Sequence, residues 1–151
     1  MIKYRKGDLL SVTSGVILHG CNAQGVMGSG VALAIKNRFP EAYMSYKDNY
    51  DNVPGGLQLG SIIWHHVPSK MLWIANAITQ ENYGRLNKRY VNYAAIVSVF
   101  KYCVGFAYTQ QCSLNFPKIG AGLGGGDWSI IEQLIDDCDP YNRVSKICWE
   151  L

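Results

Sequence analysis

The stretch that decides the fold is PKIGAGLGGGDW, residues 117–128, in which five glycines fall within seven residues. It follows the segment 112–117, which has strand character, and it precedes a helical pattern over 128–135 that Asp127 is placed to cap. Each glycine costs roughly 0.5–1 kcal/mol of backbone entropy relative to a residue with less freedom. We interpret so many glycines as a loop whose uncovered backbone N–H groups bind an anion.

A second glycine-rich stretch, NAQGVMGSG at residues 22–30, has the same context. The apolar run 16–21 before it predicts a buried strand, and the apolar spacing over 31–39 predicts a helix that Pro40 ends or bends. Open α/β sheets bind ligands where the carboxyl ends of strands lead into helices. If both loops lie at that edge, they form two walls of one cleft suited to a ligand with two phosphates. The alternative for this first loop, taken by itself, is a tight strand-to-helix turn.

The remaining patterns alternate between strands and helices. They predict a second short helix over 41–50, strands at 61–67 and 71–78 joined in a hairpin-like way, a helix over 90–108 and a last strand at 144–151. This order predicts an α/β fold, a three-layer α/β/α sandwich with a mixed central sheet, formed by a single domain over residues 1–151.

Composition narrows the class of protein. With 48% hydrophobic and 17% charged residues, the 151-residue chain excludes disorder, and its net charge of +3 without a basic run does not indicate a nucleic-acid arm. Five cysteines without a CxxC pair argue against a disulfide framework and a structural zinc site. No apolar run approaches the ~18 residues of a membrane span. We expect a cytoplasmic protein with no membrane partner, metal or cofactor.

Several motifs together resemble the macrodomain family, the ADP-ribose-binding α/β/α module. They are GDLL at 7–10, HGCN at 19–22, GVMGSGVA at 25–32, FPEAY at 39–43 and the stretch 117–128, and they span nearly the whole chain. The chain is most similar to the branch that contains ADP-ribose-1″-phosphate phosphatases and DNA ADP-ribosyl glycohydrolases.

The resemblance implies that the protein binds ADP-ribose and hydrolyses ADP-ribose-1″-phosphate to ADP-ribose and phosphate without a metal. Two alternatives stay open. One is a hydrolase that removes ADP-ribose from modified nucleic acid or protein, and the other is a non-catalytic module that binds ADP-ribose.

The resemblance also implies the site residues. Asp8 accepts a hydrogen bond from the adenine amino group, Asn22 and the first loop bind the distal ribose and the phosphates, and the second loop covers the diphosphate. The expected substrate-binding residues are Asp8, Leu9, Asn22, Gly25, Val26, Met27, Gly28, Ser29, Gly30, Val31, Gln80, Pro117, Ile119, Gly120, Ala121, Gly122, Leu123 and Gly124. His19 and Asn22 are the expected catalytic residues, with the His19 imidazole positioning water or protonating the leaving oxygen. The alternative for His19 is a hydrogen-bonded core histidine.

The chain departs from the family pattern at two positions. Members that remove ADP-ribose from bases or glutamate carry a lysine where Gln80 stands, and some carry an aspartate where Gly124 stands. An amide cannot form a Schiff base, which disfavours a lysine-dependent mechanism here. Lys88 is either a substitute for that lysine or a surface residue, and Trp149 either stacks on adenine or belongs to the core.

Overall fold

A mixed six-stranded sheet forms the centre of the computed structural model, which describes residues 1–151. The strands are β1 (Ile2–Lys6), β2 (Gly15–Asn22), β3 (Ile62–His66), β4 (Leu72–Gln80), β5 (Leu114–Phe116) and β6 (Lys146–Glu150). Their order is β1-β6-β5-β2-β4-β3. All neighbouring strands are parallel except β3, which pairs antiparallel with β4. The carboxyl ends of β1, β2, β4, β5 and β6 therefore lie at one edge of the sheet.

Helices cover both faces of the sheet. They are α1 (Gly30–Arg38), α2 (Pro40–Asn52), α3 (Tyr93–Gln110) and α4 (Trp128–Asp137). Successive residues of β2 point to opposite faces: Val16 and Leu18 belong to the core cluster of Phe100 and Ile131, from α3 and α4, whereas Ile17 packs with Ile35 of α1. The predicted three-layer α/β/α sandwich is confirmed. None of the helices combines the length and apolar character needed to cross a bilayer.

The predicted elements are present, with some boundaries corrected. Helix α1 ends at Arg38 and α2 begins at Pro40, and the Asp127 side chain caps α4 by accepting a hydrogen bond from Ser129 N at 2.9 Å, as predicted. Helix α3 begins at Tyr93 rather than at residue 90, because the Asn92 side chain caps it through Ala95 N. Strand β1 was not predicted, and its burial shows why: only its first residue is buried, so it carries no apolar pattern.

His19 links the sheet to helix α2. Its side chain is fully buried within β2, and its Nε2 lies 2.6 Å from Asn76 Oδ1 on β4. Asn76 Nδ2 in turn donates to the backbone oxygen of Ala42 in α2 at 3.0 Å. Burial lowers the pKa of His19 to about 4, so the imidazole is neutral at pH 7. His19 thus joins β2 to β4, and Asn76 joins β4 to the helix that covers them.

The pH dependence of stability tests this burial. Between the ordinary pKa of 6.5 and about 4, the unfolded chain takes up a proton at His19 that the folded chain does not. At ~1.4 kcal/mol per pKa unit, the free energy of unfolding should therefore fall by about 3 kcal/mol as the pH drops through this window. Urea unfolding of the wild type and of His19→Gln at several pH values measures this contribution. Carboxylates act alike in both proteins, so identical pH slopes would contradict it.

Candidate functional site

One cavity of about 700 Å³ lies at the carboxyl edge of the parallel strands. Three connecting segments form it: the first glycine loop after β2, the segment after β4 and the second glycine loop after β5. Its size falls within the ~300–1,000 Å³ of typical small-molecule sites. The two glycine loops therefore line one cleft, as the sequence predicts.

Most of the predicted site residues line this cleft. Those that do are Asn22, Val26, Gly28, Ser29, Gly30, Val31, Gln80, Pro117, Ile119, Gly120, Gly122, Leu123 and Gly124. Six predicted site residues do not line the cleft: Asp8, Leu9, His19, Gly25, Met27 and Ala121. For several of these the reason is packing: Met27 is buried in a cluster with Cys21 and Tyr46, Leu9 is buried against Ile17, and Gly25 lies against the Tyr50 ring.

His19 does not reach the cleft. It is three residues before the end of β2, its ring is fully buried, and its Nε2 is hydrogen-bonded to Asn76. A group that acts as general acid or base must come within hydrogen-bond reach of the reacting atoms. The structure supports the alternative interpretation of His19, a hydrogen-bonded core histidine.

Asn22 shapes the first loop through both ends of its side-chain amide. Its Oδ1 accepts a hydrogen bond from Gln24 N at 2.9 Å, and its Nδ2 donates to the Val26 backbone oxygen at 2.8 Å. The buried Tyr46 hydroxyl of α2 lies 2.7 Å from the Asn22 backbone oxygen and 2.9 Å from Oδ1. One amide proton of Asn22 remains for a ligand. Asn22 therefore positions the loop as well as lining the cleft.

The loop leads into helix α1, whose N-terminus lacks a side-chain cap. Ser29 occupies the N-cap position without making a side-chain hydrogen bond, and Gly28 to Val31 line the cleft. The first N–H groups of a helix have no intrahelical partners, and the helix dipole favours negative charge there. Helix α4, by contrast, is capped by Asp127. The cleft thus contains an N-terminus suited to an anion.

The glycines of the second loop have two different roles. A Cβ on Gly124 would lie 2.7 Å from Gly120 O, and one on Gly126 would lie 2.8 Å from the same atom. The Gly124 oxygen also accepts hydrogen bonds from Tyr90 N at 2.7 Å and Val91 N at 3.0 Å. A Cβ on Gly122 would have no neighbour within 4 Å. Close packing thus requires Gly124 and Gly126, whereas Gly122 keeps the cleft open.

The segment that follows β4 is the part of the site that sequence reasoning missed. Tyr83, Gly84 and Arg85 line the cleft, together with Gly20, Cys21, Ala32, Thr79 and Lys118. This segment follows β4, which is parallel to β2, so it reaches the same edge of the sheet as the first glycine loop. One sequence does not reveal that β4 lies beside β2, and sequence reasoning therefore had no signal for this wall. Burial raises the pKa of the Cys21 thiol, which is therefore protonated and a poor nucleophile.

The cleft lining carries positive charge and no carboxylate. Its ionisable cations are Arg85 and Lys118, and it includes neither aspartate, glutamate nor histidine. Lys118 Nζ lies 3.1 Å from a carboxylate oxygen of Glu150. Lys88 is outside the lining, with its ammonium 4.8 Å from the centre of the Tyr90 ring. This charge distribution favours an anionic ligand.

Asp8 and Trp149 are not part of this lining, and the Trp149 ring lies beside Gly7, the residue that precedes Asp8. Asp8 Oδ1 accepts a hydrogen bond from Leu10 N at 2.9 Å. The Trp149 ring lies beside Gly7, at 3.2 Å from where a Gly7 Cβ would stand, and its Nε1 donates to Asn115 Oδ1 at 3.0 Å. Trp149 is thus half-buried and hydrogen-bonded, with its ring next to the residue that precedes Asp8.

Comparison with known proteins agrees with this architecture. A family model described as Macro domain matches residues 18–135. A relative from Scheffersomyces stipitis named ADP-ribose 1″-phosphate phosphatase is 42% identical, covering 97% of this chain and 100% of the relative. A Mycobacterium tuberculosis relative named DNA ADP-ribosyl glycohydrolase is 28% identical over 88% of this chain, which spans only 37% of that protein.

Among solved structures, the macrodomain of Thermus aquaticus DarG superposes with a TM-score of 0.81. It is 26% identical, and the match covers 100% of this chain and 99% of the other. The region that matches the family model, residues 18–135, includes both glycine loops, helix α1 and most of α4. The chain therefore belongs to the macrodomain family.

Proposed function

We propose that this macrodomain binds ADP-ribose and hydrolyses ADP-ribose-1″-phosphate to ADP-ribose and phosphate. The observation that carries the proposal is the cleft itself, in which an uncapped helix N-terminus and two glycine loops surround a space with two cations and no carboxylate. Backbone N–H groups and a helix N-terminus bind phosphates without a metal. The phosphatase named from Scheffersomyces stipitis, similar over its full length, supports the choice of substrate.

In this proposal the diphosphate lies between the first turn of α1 and the second glycine loop. The distal ribose lies at the end of β2, near Asn22 and Gln80, which are paired in register. Gln80 Nε2 donates to the Asn82 backbone oxygen at 2.7 Å, which leaves its side-chain oxygen as an acceptor for a ribose hydroxyl or a water.

Hydrolysis in this cleft depends on orientation and electrostatic stabilisation. Water attacks the phosphorus of the terminal phosphate, the bond from phosphorus to the ribose oxygen breaks, and a proton from the water ends on that oxygen. No carboxylate or imidazole lines the cavity, so the protein contributes hydrogen-bond donors and cations that orient the phosphate and stabilise charge during this step. The proposal gives His19 no part in catalysis, because its ring has no access to the cleft.

The second candidate function is removal of ADP-ribose from modified nucleic acid or protein. The mycobacterial glycohydrolase relative favours it. However, Gln80 supplies no amine, and Lys88 lies over Tyr90 outside the cleft lining. A binding module without activity is the third possibility, and the assays below separate the three.

We also propose that the protein is located in the cytoplasm.

A matched pair of glycine variants tests the phosphate cradle. Gly122→Val places a branched side chain in the open cleft, so ADP-ribose binding should be lost while the fold is kept. Gly124→Ala instead pushes a Cβ against Gly120 O, and the free energy of unfolding should fall by about 1–3 kcal/mol. Calorimetry with ADP-ribose and urea unfolding followed by circular dichroism measure both effects. Unimpaired binding by a folded Gly122→Val protein would contradict the cradle.

Asp8 provides a test of the adenine end. Its second carboxylate oxygen has no protein partner, and we propose that it accepts a hydrogen bond from the adenine amino group. Asp8→Ala should weaken ADP-ribose binding by about 1–3 kcal/mol, because a charge-assisted hydrogen bond is lost. An inosine analogue, which lacks that amino group, should bind the wild type weakly and should lose little more in the variant. Equal losses for both ligands would remove Asp8 from adenine recognition.

The activity itself is tested by phosphate release from ADP-ribose-1″-phosphate in the presence of a chelator. Asn22→Ala should lower the rate by roughly 10²-fold or more, because the loop that orients the substrate loses its hydrogen bonds to Gln24 and Val26. Gln80→Ala should have a smaller effect, since its amide nitrogen contacts only Asn82. If the protein binds ADP-ribose but releases no phosphate, it is a binding module and the proposed phosphatase activity is wrong. Release of ADP-ribose from modified DNA instead would establish the second candidate.

A further inference from the structure

The segment Glu81–Asn92, which connects β4 to α3, forms a third wall of the cleft. Its inner part contributes Tyr83, Gly84 and Arg85 to the lining. Its outer part rests on the second glycine loop, where Tyr90 N and Val91 N donate to Gly124 O and where Gly125 packs so closely that a Cβ would overlap Lys88 O. At the other end of the segment, Glu81 O accepts a hydrogen bond from Ala23 N of the first loop at 3.1 Å, so contacts at both ends fix the segment beside the cleft.

Four cationic side chains belong to this wall or to the cleft lining: Arg85, Lys88, Arg89 and Lys118. Arg85 alone among them has neither a carboxylate nor an aromatic ring as a partner. Lys118 is paired with Glu150, Lys88 lies over the Tyr90 ring, and the Arg89 guanidinium lies 4.3 Å from the centre of the Tyr93 ring. Arg85 has no carboxylate within 4.0 Å and lies over no aromatic ring. Its guanidinium is therefore free to bind a ligand.

The position of Arg85 in the chain indicates which end of the ligand it can contact, the end with the distal ribose. It follows the end of β4, where Gln80 is in register with Asn22. The proposed function places the distal ribose at that point, and the diphosphate lies farther along the cleft, at the N-terminus of α1. The segment that brings Arg85 into the cleft lining begins at this point, so it is the wall from which a side chain can contact an anionic group on the distal ribose.

We propose that Arg85 binds the terminal phosphate of ADP-ribose-1″-phosphate and makes the cleft select ligands with a phosphomonoester at that end. This inference rests on the proposed function and adds a specificity-determining residue to it. A guanidinium binds two phosphate oxygens at once, with a geometry that an ammonium does not reproduce. The terminal phosphate is more highly charged than either phosphate of the diphosphate, so a free cation discriminates most strongly there.

Calorimetry with two ligands tests the inference independently of catalysis. The probes are ADP-ribose and its 1″-methylenephosphonate analogue, which carries the terminal charge but is not hydrolysed. The wild type should bind the phosphonate more tightly than ADP-ribose. Arg85→Ala should weaken phosphonate binding by about tenfold or more and change ADP-ribose binding little, and Arg85→Lys should restore part of the loss.

Lys88→Ala is the matched control, because it removes the same charge from the same segment at a residue outside the lining. It should leave the preference for the phosphonate intact. The inference is overturned if Arg85→Ala weakens both ligands equally, if it weakens neither, or if Lys88→Ala has the same effect. Failure of the wild type to bind ADP-ribose at all would instead overturn the proposed function, and with it this inference.

Discussion

The parallel pairing of β1, β6, β5, β2 and β4 is the constraint on which the site depends. It brings the carboxyl ends of these strands to one edge, so the segments that follow them meet although they lie far apart in the chain. The first glycine loop, the segment after β4 and the second glycine loop thus become three walls of one cleft. Asp8, which follows β1, lies at the same edge. The buried His19–Asn76 pair stabilises this arrangement beneath the cleft, where β2 and β4 meet α2.

Contacts between the walls explain part of the glycine content that the sequence analysis attributed to a ligand. Gly124 and Gly126 approach the Gly120 carbonyl, and Gly125 approaches Lys88 O, at distances that leave no room for a Cβ. Gly125 allows the segment after β4 to rest on the second loop, and Gly124 and Gly126 allow that loop to fold back on its own Gly120 carbonyl. A Cβ on Gly122 would have no neighbour within 4 Å, and one on Gly28 would make only a van der Waals contact with the Val26 side chain at 3.4 Å. Packing does not require these two glycines, which line the cleft. A glycine-rich loop therefore combines glycines that close backbone packing requires with glycines that leave space for a ligand in the cleft.

Local patterns predicted the layers, both glycine loops and the cap at Asp127, because each depends on residues close in sequence. The third wall was not predicted, because the position of Arg85 follows from the pairing of β4 with β2, which no local pattern encodes. His19 shows a different limit. The register of β2 against β4 shifts between Cys21 and Asn22, so counting alternate residues back from Asn22 does not tell which side chains reach the cleft. The burial of the His19 ring depends instead on a residue distant in sequence, Asn76 of β4, to which it is hydrogen-bonded.

Hydrogen-bond donors in different parts of the cleft contribute differently to ligand binding and to the rate of hydrolysis. The first turn of α1 and the second glycine loop contact, in our proposal, a diphosphate whose charge is the same before and after hydrolysis. Such contacts bind substrate and transition state equally and do not by themselves raise the rate of the chemical step. Only groups near the distal ribose meet charge that changes as the phosphorus–oxygen bond breaks. With no base in the lining, whether this macrodomain acts as a hydrolase or only binds depends on the Asn22 loop, Gln80 and Arg85.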